Sequence, residues 1–141
     1  MVEVEGARQL VLDYVGGWKD ADAGRVLETL QPDCVVVESH GTTYRGKEQV
    51  ERWIESWFAE GNVIDQWDVT SFLATKHACA FEWVFSCTIK DVQHSFEGAS
   101  LALLKDGTIA LLREYRMTQP QYDWDGYPVS GEAAVAYWGD S

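Results

Sequence analysis

The chain is poor in basic residues. Eleven Lys and Arg stand against 23 Asp and Glu, a formal net charge of -12 over 141 residues. A surface of that sign repels phosphate backbones, and no basic cluster offsets it, which argues against a nucleic-acid partner. Long apolar runs are missing too. None approaches the roughly 18 residues of a membrane span, and the acidic start Met1-Val2-Glu3-Val4-Glu5 does not read as a secretory signal. Cysteine is scarce: Cys34, Cys79 and Cys87 are odd in number and lack CxxC spacing. They read as reduced, buried thiols of a cytoplasmic protein, and their apolar settings argue against a Cys–His nucleophile. His40, His77 and His94 lie on separate segments without ligand spacing, so no metal site is expected. Neither the Walker nor the dinucleotide glycine pattern is present.

Aromatic residues are plentiful. Seven Trp, six Tyr and five Phe are many for this length, and Trp and Tyr suit cavities with apolar walls and a few polar handles. Hydrophobic residues make up 46%, enough for one domain with a real core.

Helices come first. Ala7, Leu10, Val11, Tyr14, Val15 and Trp18 recur at spacings of three and four, which predicts a helix over 5–18. Asp20 or Asp22 can cap a second helix over 23–30, which Pro32 ends. Val50, Trp53, Ile54, Trp57 and Phe58 share one face of a third, over 47–60, and Gly61 suits its C-terminal cap. The β-branched run at 34–40 predicts a strand, and 41–46 a loop.

From residue 63 the period shifts to two. Strands are predicted over 63–73, with Val63, Asp65, Trp67 and Val69 on one face, and over 78–89, with Phe81, Trp83 and Phe85 together. Two more follow over 95–104 and 108–117, joined by the hairpin turn Asp106-Gly107. The class is α+β: about three N-terminal helices packed on an antiparallel sheet. The tail, residues 119–141, carries Tyr122, Trp124, Tyr127, Tyr137 and Trp138 and is expected to pack on the body or on a partner subunit.

Glu38 and His40 are the strongest chemical signal. At i and i+2 of a strand, a carboxylate and an imidazole project to the same face beside Val36. Such a face suits a pocket where protons move. A carboxylate in an aromatic pocket loses hydration, so its pKa rises towards a useful general base or acid. The concrete expectation is proton abstraction beside a carbonyl of a small hydrophobic compound, with no cofactor required.

The chain resembles the nuclear-transport-factor-2-like superfamily, and within it the SnoaL-like group. The resemblance runs over residues 5–118. It rests on a first helix bearing Tyr14, the run Gln31-Pro32-Asp33-Cys34-Val35-Val36-Val37-Glu38, and the Trp-rich helix. It rests also on long strands closing with Asp106-Gly107-Thr108-Ile109 and Arg113-Glu114-Tyr115. The resemblance implies a curved sheet wrapped into a cone, a ligand pocket at one end, and homodimers formed through the outer face of the sheet. The superfamily holds ketosteroid isomerases, polyketide cyclases, dehydratases and epoxide hydrolases, so the fold alone does not choose a function. By position, Tyr14 is similar to the isomerases' hydrogen-bond donor and Glu38 to their base. Ala99 stands where they carry a protonated Asp, a departure that counts against steroid isomerase activity itself.

The expected site is therefore Glu38, His40 and Tyr14 as catalytic groups, with Trp18, Trp53, Trp57, Phe81, Trp83, Glu97 and Tyr115 around the substrate. Other readings stay open. Glu38 can pair with Arg45 or Lys47, His40 can be an exposed strand end, and Tyr14, Trp53 and Trp57 can be plain core. Glu97 faces the cavity if Ala99 and Leu101 do; its alternative is a cross-strand bridge to Arg113. Glu82 reads as an outer-sheet residue at a dimer contact, and Glu114 and Arg116 as surface charges. A non-catalytic binder of an apolar molecule, or a dimeric protein-interaction subunit, are the alternative functions.

Overall fold

The computed structural model describes residues 2–127. Helix α1 (Val2–Lys19) buries Ala7, Val11, Tyr14, Val15 and Trp18, the stripe that its spacing predicts. Helix α2 (Ala23–Glu28) is capped by Asp22, whose side chain accepts a hydrogen bond from the backbone N–H of Arg25 at 3.1 Å. Helix α3 (Gly46–Ala59) buries Val50 and Ile54 and half-buries Trp53, Trp57 and Phe58.

The strands are β1 (Leu30–Val37), β2 (Thr43–Arg45), β3 (Val63–Ala74), β4 (Ala78–Ile89), β5 (Val92–Lys105) and β6 (Thr108–Arg116). They form one six-stranded sheet in the order β2-β1-β6-β5-β4-β3. It is an α+β cone: the curved, unclosed sheet wraps the helices, with α1 against β3 and α3 against β1. Among its pairs only β1 and β6 run parallel, a departure from the all-antiparallel expectation. That pairing joins the helical N-terminal half to the end of the meander.

Three local differences from the sequence reading matter. Strand β1 begins at Leu30 and runs through Pro32, and its pairing with β6 is irregular between Leu30 and Val35. A proline that cannot donate to the ladder is tolerated there. The stretch read as a loop over 41–46 contains β2, which folds back on β1 with Val37 opposite Thr43. Strand β3 does not alternate strictly. Its register with β4 shifts twice, so Trp67 and Phe72 are buried while Val63 is half exposed.

Of the tail aromatics, expected on the body or on a partner subunit, Tyr122, Trp124 and Tyr127 are exposed in the single chain. Tyr137 and Trp138 lie outside the described residues. No helix among the described residues is long and apolar enough to cross a membrane.

Candidate functional site

One end of the cone is filled and the other is hollow. The hollow has a volume of about 250 Å³, at the small end for ligand pockets. Its helical wall is Trp18, Trp53 and Trp57; its sheet wall is Ile64, Trp67, Trp83, Phe85 and Phe96. The rings interlock mostly edge to face. Trp18 meets Trp53 at 4.6 Å between centroids and Trp57 at 6.1 Å, and Trp67 meets Phe85 at 5.4 Å. Tyr44 stacks flat on Trp53 at 4.0 Å. Such interlocked rings hold the wall rigid without filling the space.

Glu38 and His40 do come together in the hollow, but not by strand alternation. Strand β1 ends at Val37, and the chain turns sharply, with the Gly41 N–H donating to the Glu38 carbonyl at 2.9 Å. Gly41 takes a φ of +100°, which a side chain would resist. The turn folds His40 back, so its Nε2 lies 3.4 Å from Glu38 Oε2. Glu38 Oε1 accepts a hydrogen bond from the Tyr44 hydroxyl at 2.5 Å. The Glu38 side chain is 19% exposed and His40 is 65% exposed. Glu38 therefore sits inside the mouth and His40 on the rim. Neither Arg45 nor Lys47 is its partner; Tyr44 and His40 occupy that role.

A second carboxyl, which the sequence reading placed on the surface, lies in the same hollow. Glu114 points inward from β6, opposite Ser100 of β5 and two residues from buried Leu112. Crowding by protein, and then the charge of Glu38, push its pKa up to about 8. Near neutral pH it is mostly a protonated acid and can donate a hydrogen bond. Arg116, on the same face, also lines the hollow. Its guanidinium caps the Phe96 ring at 4.3 Å.

Glu97, Ala99 and Tyr115 face the other way, lining a groove on the outer side of the sheet, and Tyr115 is 56% exposed. The inward residues of β5 are Phe96, Gly98, Ser100 and Ala102. Ala99 therefore points away from the hollow, and Glu114, not a β5 residue, supplies the protonated carboxyl within it. Glu97 has no bridge to Arg113 either, because Arg113 stands opposite Leu101. Glu82 lies on that outer side, accepting a hydrogen bond from the Ser71 hydroxyl at 2.7 Å. Phe81 is deep core rather than hollow wall.

Tyr14 is buried behind the wall, edge-on to Trp67 at 6.2 Å. Burial, and then the charge of Glu114, hold its hydroxyl well above the usual phenol pKa, so it stays a donor. Among the described residues, the Tyr14 hydroxyl and the indole N–H groups of Trp18 and Trp67 are buried without a well-formed hydrogen bond. The indole of Trp83, by contrast, donates to Ser100 Oγ at 2.9 Å. Trp18 and Trp67 line the hollow while Tyr14 lies behind them, and buried donors left underused are costly. No cluster of His, Cys, Asp and Glu among the described residues has metal-binding geometry.

The fold and this hollow define a class of small-molecule pocket proteins built on the cone. The SnoaL-like domain family matches residues 11–112, and the chain belongs to that family. No curated protein matches it. Solved structures do. A LEH-like epoxide hydrolase of M. tuberculosis superposes with a TM-score of 0.73 at 18% identity, covering 82% of this chain and 85% of that one. A candidate polyketide cyclase of Xanthomonas campestris pv. campestris gives 0.68 at 14% identity, covering 80% and 91%. A protein with a ketosteroid isomerase-like fold from Catenulispora acidiphila DSM 44928, in complex with trimethylamine, gives 0.66 at 19%, covering 75% and 83%.

Proposed function

We propose that this protein is a general acid/base enzyme that moves a proton beside a carbonyl of a small hydrophobic compound, as an isomerase, cyclase or dehydratase. One observation carries the reading: two carboxyl groups share an aromatic hollow, and the environment separates their roles. Glu38, with Tyr44 and His40 holding it, acts as the base. Glu114, pushed up to about 8, acts as the acid. A carboxyl whose surroundings raise its pKa is suited to the acid's role beside a second carboxyl group.

The step balances without a cofactor. The Glu38 carboxylate takes a proton from carbon next to the carbonyl, and the C–H electron pair moves to form an enolate. Glu114 donates a hydrogen bond, or its proton, to the oxygen that gains charge. Trp18 and Trp67, in the wall of the hollow, can turn further donors towards that oxygen. The Glu114 proton is renewed from solvent or from the proton held on Glu38.

Glu38→Gln keeps the Tyr44 contact and removes the base. Turnover is expected to fall by about 10²–10⁴, with the fold intact by circular dichroism. Undiminished turnover in that variant refutes the assignment. A second reading, a binder without chemistry, is favoured by the fact that Glu38 is already engaged by the Tyr44 hydroxyl and flanked by His40. It predicts ligand affinity without any exchange of substrate protons. The homodimer expected from the family would place its contact on the outer face, where Leu101, Leu103 and Tyr115 are exposed; sedimentation at graded concentration tests it.

A further inference from the structure

The hollow has opposite electrostatics at its two ends. Its inner part holds two carboxyl groups, Glu38 and Glu114, and the charge of Glu38 helps to keep Glu114 protonated. Its outer part carries Arg116 and His94, both exposed to solvent. His94 stands two residues before Phe96 on the inward face of β5, opposite Cys87. Arg116, the last residue of β6, lies over the Phe96 ring. Glu114's pKa is set by burial and by Glu38, with no relief from Arg116 two residues away. No ion pair of the structure engages Arg116 among the described residues. Arg116 therefore stands at the mouth of the hollow with a ring beneath it and its guanidinium edge open.

A guanidinium stacked on an aromatic face is held in plane and keeps its N–H fork free at the edge. That fork suits a carboxylate, which it binds with two parallel hydrogen bonds. The aromatic walls suit a ring. The Glu38 carboxylate inside would repel an anion, so a ring compound with one acidic group enters ring first and leaves its charge outside.

We infer that the substrate is a cyclic or aromatic carboxylate, its ring between Trp53 and Phe85 and its anionic group on Arg116 with His94 beside it. The inference rests on the reading of the hollow as the substrate site, and it adds what that reading leaves open: the sign of the substrate and the residue that selects it. Arg116 is then a specificity residue that touches the substrate away from the reacting atoms.

A matched pair of probes tests it: 4-acetylbenzoate and its neutral amide, 4-acetylbenzamide. Both carry a ring and an enolisable methyl ketone; only one carries charge. Calorimetric titration of the full chain at low salt is expected to show the acid binding at least about tenfold tighter than the amide. Added salt should erode that advantage. Arg116→Gln should remove most of it, weakening the acid far more than the amide. His94→Gln should reduce it partly. Equal affinity for the two probes overturns the inference, as does an Arg116→Gln variant that weakens both alike. Binding of neither probe at millimolar concentration overturns it too, together with the hollow as a ring site. Deuterium uptake into the acetyl methyl group, followed by NMR in the same samples, reports the proton transfer separately. Equal affinities with protein-dependent uptake sink the carboxylate anchor and spare the acid/base reading. Selective binding without uptake supports the anchor and sinks the chemistry.

Discussion

The inward faces of β4, β5 and β6 are used in two ways along their length. At one end Cys79, Phe81, Ala102 and Leu112 meet the helices and are almost wholly buried. At the other end the same strands carry Phe85, Cys87, Phe96, Glu114 and Arg116 into open space. The closed end obeys the ordinary rule that apolar groups leave water. The open end breaks it, placing an acid where its charge is unfavourable and leaving donors unpaired. The change falls at Trp83 and Gly98, which face each other across β4 and β5. Close packing is concentrated on one side of that line and titratable groups on the other.

Truncations on the two sides of the line should differ most. Phe81→Ala removes a ring that is 3% exposed in the closed end, and about 3–5 kcal/mol of stability should go with it. Trp57→Ala, on the partly exposed hollow wall, should cost clearly less, because water already reaches that space. Urea denaturation of both variants measures the gap, and equal losses would mean that the two ends are packed alike.

The next effect concerns Glu114 and depends on pH. An unfolded Glu gives up its proton near 4.5, and the folded protein holds it until about 8. Between those values the unfolded state binds fewer protons than the folded one. This group's contribution is therefore complete below about 4.5, falls as pH rises, and levels off above about 8. The slope is at most about 1.4 kcal/mol per pH unit. Glu114→Gln mimics the protonated form and should flatten that fall, so the variant gains on the parent as pH rises from 5 to 8. Parallel stability curves for the two proteins would place the Glu114 carboxyl in water.

Most of the architecture was legible from periodicity. The stripe of α1, the face of α3 and the Phe81-Trp83-Phe85 alternation each bury as read. The sides of β5 and β6 were not. Alternation tells which residues share a face, not which face is inside. On β5 the larger apolar residues, Leu101 and Leu103, point outward and are about 42–44% exposed, while small Ser100 and Ala102 point in. Size and hydropathy therefore favoured the wrong side, and Glu97 and Tyr115 were assigned inward while Glu114 was assigned outward. The usable signal was Gly98 opposite Trp83, since only a residue without a side chain leaves room for an indole there. The Glu38–His40 pair was read correctly as neighbours for an incorrect reason: a three-residue strand, β2, and the turn before it do the work assigned to strand pleat. So short a strand, flanked by Gly41 and Gly46, leaves almost no periodic trace.

Gly98 tests where the line between the two ends falls. A Cβ at this position would lie 2.2 Å from the Tyr115 carbonyl oxygen and 2.5 Å from the Trp83 ring. The carbonyl belongs to the backbone and cannot swing away, so Gly98→Ala must displace β6 or the indole. About 1–3 kcal/mol of destabilisation is expected, as for other overpacked sites. The loss should be accompanied by a change in tryptophan fluorescence. Unaltered stability would show that the sheet yields at this point, and the division between filled and open ends would then be softer than the packing implies.

The smallest effect is expected at the rim. His40 is 65% exposed, and its contact with Glu38 at 3.4 Å is open to solvent and salt. Exposed ion pairs of this kind contribute about 0–1 kcal/mol, so His40→Ala should leave thermal stability within that range. Function is where the residue should count. With Tyr44 still donating at 2.5 Å, Glu38 would keep one partner and lose the imidazole that can pass its proton to bulk water. If the hollow works as a site of proton transfer, exchange of substrate protons should slow in His40→Ala while ligand affinity holds. If affinity and exchange fall together, His40 acts only by shaping the mouth, and the open end would be organised for binding instead of for chemistry.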